Sequence, residues 1–228
     1  MQLSKVKTML KHMTRRNLLR GIGTVVSTAL LALGPVTSSA QAEDIALTEL
    51  ARTGGLADIP VGSDEAAVTV IEYASMSCGH CKRFHESVYP KFKEKYVDTG
   101  QVRYVFREFP LDNRAAAASL LTRCVAEDKK HAMIDVLFAQ QNDWAYFRGD
   151  PTPKLFEIAK QAGFTEKAFK TCLADKDQFA KLIAGRERAA SVFGVKSTPT
   201  FFVNGKKLQG NVSLETLSEV IDPILPKS

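Results

Sequence analysis

Cys78 and Cys81 are separated only by Gly79 and His80, at the point where one sequence pattern gives way to another. Ahead of them runs Val68-Thr69-Val70-Ile71-Glu72-Tyr73, rich in β-branched residues as strands are; after them, over 82–97, the pattern is helical. Two cysteines so spaced on the first turn of a helix can close a disulfide across it. The position also activates them. Unpaired backbone N–H groups and the positive end of the helix dipole favour a thiolate there, so its pKa falls. His80 is expected to add positive charge or a hydrogen bond when Cys78 ionises. The chemistry this predicts is dithiol–disulfide exchange.

The elements that must hold this pair follow in order. Residues 43–66, with Thr-Gly-Gly, Pro60 and Gly62, look like a short arm with little structure. A strand is expected at 67–75, then the helix from Cys78, which Pro90 should kink. A second strand over 102–109 ends at Pro110, and the periodicity of 112–193 is helical, broken at Gly149-Asp150-Pro151, Gly163-Phe164-Thr165 and Asp175. Thr152 and Thr165 open apolar-periodic runs as N-caps would. The chain closes with a hairpin, Thr200 to Val203, the turn Asn204-Gly205 and Lys206-Lys207-Leu208, then a helix over 213–224. Strand–helix–strand implies a parallel pair with a crossover helix, whereas the hairpin is antiparallel. The fold class is α/β: a mixed parallel/antiparallel sheet flanked by helices, with an all-helical insertion over 112–193.

Composition narrows the setting. The 228 residues, 45% of them apolar, suffice for a core in one domain with an insertion. The formal net charge of +6 belongs to one end of the chain. Six of the 31 Lys+Arg (Lys5, Lys7, Lys11, Arg15, Arg16 and Arg20) fall in residues 1–42, which carry no acid, and the 25 that remain balance 25 Asp+Glu. No argument for nucleic-acid binding survives that balance. Residues 1–42 read as an export signal, with a basic stretch, an uncharged run over 21–34, Pro35, and the cleavage pattern Ala40-Gln41-Ala42, so that Glu43 would begin the mature chain. Thr14-Arg15-Arg16-Asn17-Leu18-Leu19-Arg20 resembles a twin-arginine motif, with Leu18 where Phe is common; the ordinary secretory route stays open beside it. Export to the periplasm favours oxidised cysteines. All four cysteines follow the leader, and the one pairing compatible with an active Cys-x-x-Cys joins Cys78 to Cys81 and Cys124 to Cys172.

Cys78-Gly79-His80-Cys81 after a strand, a proline-bearing helix, a helical block, and Ser197-Thr198-Pro199-Thr200 before the hairpin together resemble the DsbA-like thioredoxin-fold proteins, over residues 65–225. The resemblance implies a thioredoxin-like fold. It makes Cys78 the exposed nucleophile and Cys81 the buried resolving cysteine. It makes Pro199 the cis-proline opposite them, leaving the backbone of Thr198 to pair with an extended substrate. It places Glu72 beneath the disulfide as a buried acid that moves the resolving thiol's proton, and strand alternation agrees by setting Glu72 on the face of Val68 and Val70. Arg103 is a possible partner for it. Some branches of the family carry a second pair as a structural disulfide, here Cys124 and Cys172, with two separately buried thiols as the alternative. Gly79 departs from the best-known DsbA pattern, which has proline; Cys-Gly-His-Cys is also the motif of protein disulfide isomerase.

What the resemblance implies about function is a periplasmic thiol oxidase that donates the Cys78–Cys81 disulfide to exported proteins and is reoxidised by a DsbB-like membrane partner. It would act as a monomer, without cofactor or metal. His85 completes a Cys-x-x-Cys-x-x-x-His string, but the expected cis-proline would block a metal approaching the dithiol. His131 and Trp144 read as core or surface residues of the insertion. The rival readings are a monomeric isomerase or reductase of the same fold, and a metal-binding or thiol-holding chaperone module without turnover.

Overall fold

The computed structural model describes residues 45–227; the leader and the Ala42 cleavage site lie outside them. Among the described residues five strands form one sheet, β1 (Ile59–Val61), β2 (Val68–Ala74), β3 (Val102–Glu108), β4 (Thr200–Val203) and β5 (Lys206–Gln209), in the order β1-β3-β2-β4-β5. Only β2 and β3 run parallel, joined by a crossover helix; β1–β3, β2–β4 and β4–β5 are antiparallel. Central β2 is buried on both faces, which explains its almost unbroken apolar run.

Side-chain alternation divides the core in two. Val68 and Val70 of β2, Tyr104 and Phe106 of β3 and Phe201 of β4 pack with the crossover helix and with Leu217 and Ile221. Ile71, Tyr73, Val105 and Phe202 face the other way, onto Leu50, Ala189 and Phe193. The β4–β5 hairpin turns at Asn204 (φ 45°) and Gly205 (φ 97°), two successive left-handed residues as a two-residue turn of this hand requires.

The crossover begins with α2 (Gly79–Arg83) and returns through α3 (Tyr89–Phe92), with π-helical turns at Phe84–Val88 and Lys93–Val97. Pro90 withholds an N–H from this stretch, and the wide turn lies just before it. The insertion runs through α4 (Asn113–Arg123), α5 (Lys130–Ala139), α6 (Gln141–Trp144), α7 (Thr152–Gln161), α8 (Glu166–Leu173) and α9 (Lys176–Ser191). The final helix (Leu214–Ile221) is capped by Ser213. Thr165 caps α8 as expected, but Thr152 does not cap α7: it is the first helical residue, and its N–H donates to Asp150 Oδ1 at 2.9 Å.

The segment ahead of β2 is more structured than the sequence suggests. Besides the one-turn helix α1 (Leu47–Leu50) it supplies edge strand β1, held from the side by buried ion pairs. Asp58 accepts two hydrogen bonds from Arg107, at 2.6 and 2.9 Å, and Arg123 pairs with Glu108 while donating to Ala57 O at 2.6 Å. These partners are long-range, and Gly and Pro in the segment mask them from any local reading.

Candidate active site

Cys78 is the N-cap of α2, extended at φ −83° and ψ 119°, and Cys81 lies in the helix's first turn. Both are free thiols, and both are more enclosed than the sequence implies: Cys81 is 0% exposed and Cys78 only 9%. The expected exposed nucleophile is thus largely enclosed. Their environments push them apart. The Cys78 pKa is lowered to about 5, first by a hydrogen bond from the Cys81 thiol and then, against the cost of burial, by Thr198 and the N–H groups of Cys81 and His80. Burial pushes Cys81 well above the usual thiol range, and the neighbouring Cys78 and Glu72 charges add to it. One thiol ionises readily while the other holds its proton, so the two are suited to successive steps of an exchange.

What position 80 gives Cys78 is its backbone N–H. The His80 ring is exposed and accepts at Nδ1 from Arg83 Nη2, 2.6 Å away. Across the site the Thr198–Pro199 peptide is cis, Pro199 is buried, and Cys78 Sγ lies 3.2 Å from Thr198 O, to which it donates only while it holds its proton. That carbonyl therefore faces the reacting sulfur.

The helical insertion grips the active-site loop through residues no motif announces. Buried Gln141 donates from Nε2 to Met76 O (2.7 Å) and Cys78 O (3.1 Å). Ser77 Oγ donates to Asp112 Oδ2 at 2.7 Å, and Tyr146 donates to Ser77 O at 3.2 Å. A Cβ at Gly79 would stand 3.0 Å from that tyrosine hydroxyl, so the small residue leaves room for it. Tyr146 is exposed beside the active-site loop, and it and exposed Phe147 lie in a segment whose carbonyls Arg114 gathers: it donates to the backbone oxygens of Trp144, Ala145, Phe147 and Gly149.

Glu72 is 0% exposed and lies on the side of the sheet that carries α2. Its partners are not Arg103, which β3 turns to the other face to meet Asp64 at 2.9 Å. Tyr104 donates to Glu72 Oε2, and His85 Nε2 stands 3.2 Å from the same oxygen. His85 is stacked on Phe138, ring centroids 4.4 Å apart. Burial alone would lower its pKa; Glu72 and Asp135 outweigh that and raise it to about 9. The only sequence signal for His85 was its four-residue offset from Cys81, a spacing that returns a helix to the same face. Elsewhere, His131 lies against Ile59 O and Trp144 is fully buried in the insertion's core.

Cys124 and Cys172 are joined at a sequence separation of 48, with Cα atoms 6.1 Å apart, linking α4 to α8.

Comparison with known proteins gives consistent results. The thioredoxin family model matches residues 56–223. A Rickettsia conorii protein named as a protein-disulfide oxidoreductase is 33% identical over 169 residues, 74% of this chain and 60% of that one, so the chain spans well under the relative's full length. Disulfide bond formation protein D of Bacillus subtilis is 25% identical over 171 residues, 71% of this chain and 74% of that protein. The crystal structure of Wolbachia pipientis alpha-DsbA1 superposes with a TM-score of 0.69 at 33% identity, covering 73% of this chain and 90% of that one.

Proposed function

Since the chain belongs to the thioredoxin family, and within it to the DsbA-like proteins, we propose that it is a thiol:disulfide oxidoreductase that donates its Cys78–Cys81 disulfide to exported proteins. The observation that carries this reading is the Cys78–Cys81 pair on the first turn of α2, faced by the Thr198–Pro199 peptide, a setting that lowers the Cys78 pKa to about 5. A thiolate this stable is a good leaving group, which makes its disulfide easy to reduce and hence oxidising. A substrate thiolate attacks Cys78 Sγ; the bond to Cys81 breaks, and a mixed disulfide forms. A second substrate thiolate then attacks the substrate sulfur of that bond. The substrate departs with a new disulfide, and the enzyme is left as the dithiol. The Thr198 backbone beside the cis-proline offers an edge on which an extended substrate can pair.

The reading includes export, on the strength of residues 1–42, and reoxidation of the dithiol by a DsbB-like membrane partner, with a monomer as the working unit. Cys78→Ser is expected to abolish oxidation of a dithiol peptide, and Cys81→Ser to accumulate mixed disulfides with substrates, visible on non-reducing gels. Retained oxidation by Cys78→Ser would refute the mechanism.

A further inference from the structure

Cys81 must take up a proton each time it leaves as a thiolate and lose one each time it attacks, yet it is 0% exposed. Taking Glu72 as the buried acid that exchanges this proton, as the family resemblance implies, we propose that His85 carries it on between Glu72 and a cleft on the flank of the crossover helix, with Asp135 at its mouth. This rests on the oxidoreductase reading above and adds His85 to its machinery as a positioning and proton-relay residue.

The geometry supplies the links from Glu72 outward. Glu72 Oε2 meets His85 Nε2 at 3.2 Å, while Oε1 is buried with no hydrogen-bond partner among the described residues. The Glu72 charge is felt by Cys81. On the far side of the ring, His85 Nδ1 has no hydrogen-bond partner among the described residues and faces Asp135 Oδ1 across 3.9 Å. A cleft of about 330 Å³ begins there, lined by His85, Glu86, Tyr89, Lys93, Asp135 and Phe138. Asp135 is half exposed, with 56% of its side chain open to solvent. The π-helical turn Phe84–Val88 carries His85 on the active-site helix itself.

The groups facing His85 come from every neighbouring element: Glu72 from β2, Tyr104 from β3 with its hydroxyl 3.5 Å from Nε2, and Asp135 and His131 from α5. Glu86, Tyr89 and Lys93 come from its own helix. The two carboxylates outweigh burial and keep the ring cationic at neutral pH. As substrate attack breaks the Cys78–Cys81 bond, the electron pair leaves on Cys81 Sγ. A proton passes from His85 to Glu72 and from Glu72 to that sulfur, and one proton from solvent in the cleft restores the imidazolium. Reoxidation runs the same transfer backwards.

The test follows reduction of the purified disulfide form by glutathione across pH, with rates divided by the thiolate fraction of glutathione. The wild-type rate is expected to hold up to about pH 9 and fall above it, where His85 loses its proton. Asp135→Asn, a change on the surface, should bring that fall to lower pH. His85→Gln should keep a hydrogen bond to Glu72 yet slow the reaction on the order of tenfold, below the usual range for positioned proton transfer because solvent retains a partial path. It should also erase the fall, while Cys78 still titrates near 5. Identical profiles for wild type and Asp135→Asn, or an unchanged rate in His85→Gln, would overturn the relay. A wild type that reduces substrates instead of oxidising them would sink the proposed function alone, because Cys81 exchanges the same proton in either direction.

Discussion

At the scale of single residues, the Cys78 thiolate couples redox state to stability. Its folded pKa of about 5 lies below the roughly 8.5 of an unfolded cysteine, so between those values the unfolded dithiol chain binds more protons than the folded one. The stability of the dithiol form therefore rises with pH across that window and is lost as pH falls through about 5. The disulfide form has no such thiolate. Melting both forms in parallel should show the dithiol form gaining on the disulfide form from acid to mildly alkaline pH; a constant difference would contradict the thiolate assignment. His85, raised to about 9, contributes in the opposite sense, most below its unfolded pKa and less as pH climbs through 9, and it does so in both forms. The placement of Cys78 and Cys81 at a helix start and the cis bond at Pro199 were legible in the sequence because their motifs are local. His80 was legible only in part: its amide reaches the thiolate while its ring turns to Arg83.

At the scale of elements, the insertion and the sheet meet at the active-site loop, and Gln141 is the joint. Its amide donates to two buried carbonyls, one of them that of Cys78. Gln141→Ala would strand Met76 O, since Cys78 O also accepts from Lys82 N–H at 3.0 Å, at a cost of about 1–3 kcal/mol, measurable by urea unfolding of the dithiol form. An unchanged midpoint would mean that this carbonyl finds another donor. Strands β2 to β5, the hairpin turn and the start of α8 were readable from residue pattern, Asn204-Gly205 and Thr165. What escaped was whatever depended on partners distant in sequence. Strand β1 owes its place to Arg107 and Arg123, Glu72 has Tyr104 and His85 rather than Arg103, and Asp150 serves α7 where Thr152 was expected to. Alternation assigns a face to a side chain; it does not say who waits there.

At the scale of the whole molecule, the Cys124–Cys172 link ties α4 to α8, away from the dithiol. Replacing both cysteines by alanine closes no loop in the unfolded chain and is expected to cost about 4 kcal/mol in the chain-entropy description. Stability against urea should drop accordingly, with the Cys78 titration unmoved; a shifted titration would mean that the insertion's bracing reaches the active site. Fold and site together make Cys78–Cys81 a couple whose dithiol form is stabilised by its thiolate, and that is the central claim. The most direct measurement is the reduction potential of this couple, equilibrated against glutathione. A potential at or above about −180 mV, in the range of thiol oxidants, is the expected result. A potential near about −250 mV or below would contradict disulfide donation and assign the chain to reduction instead.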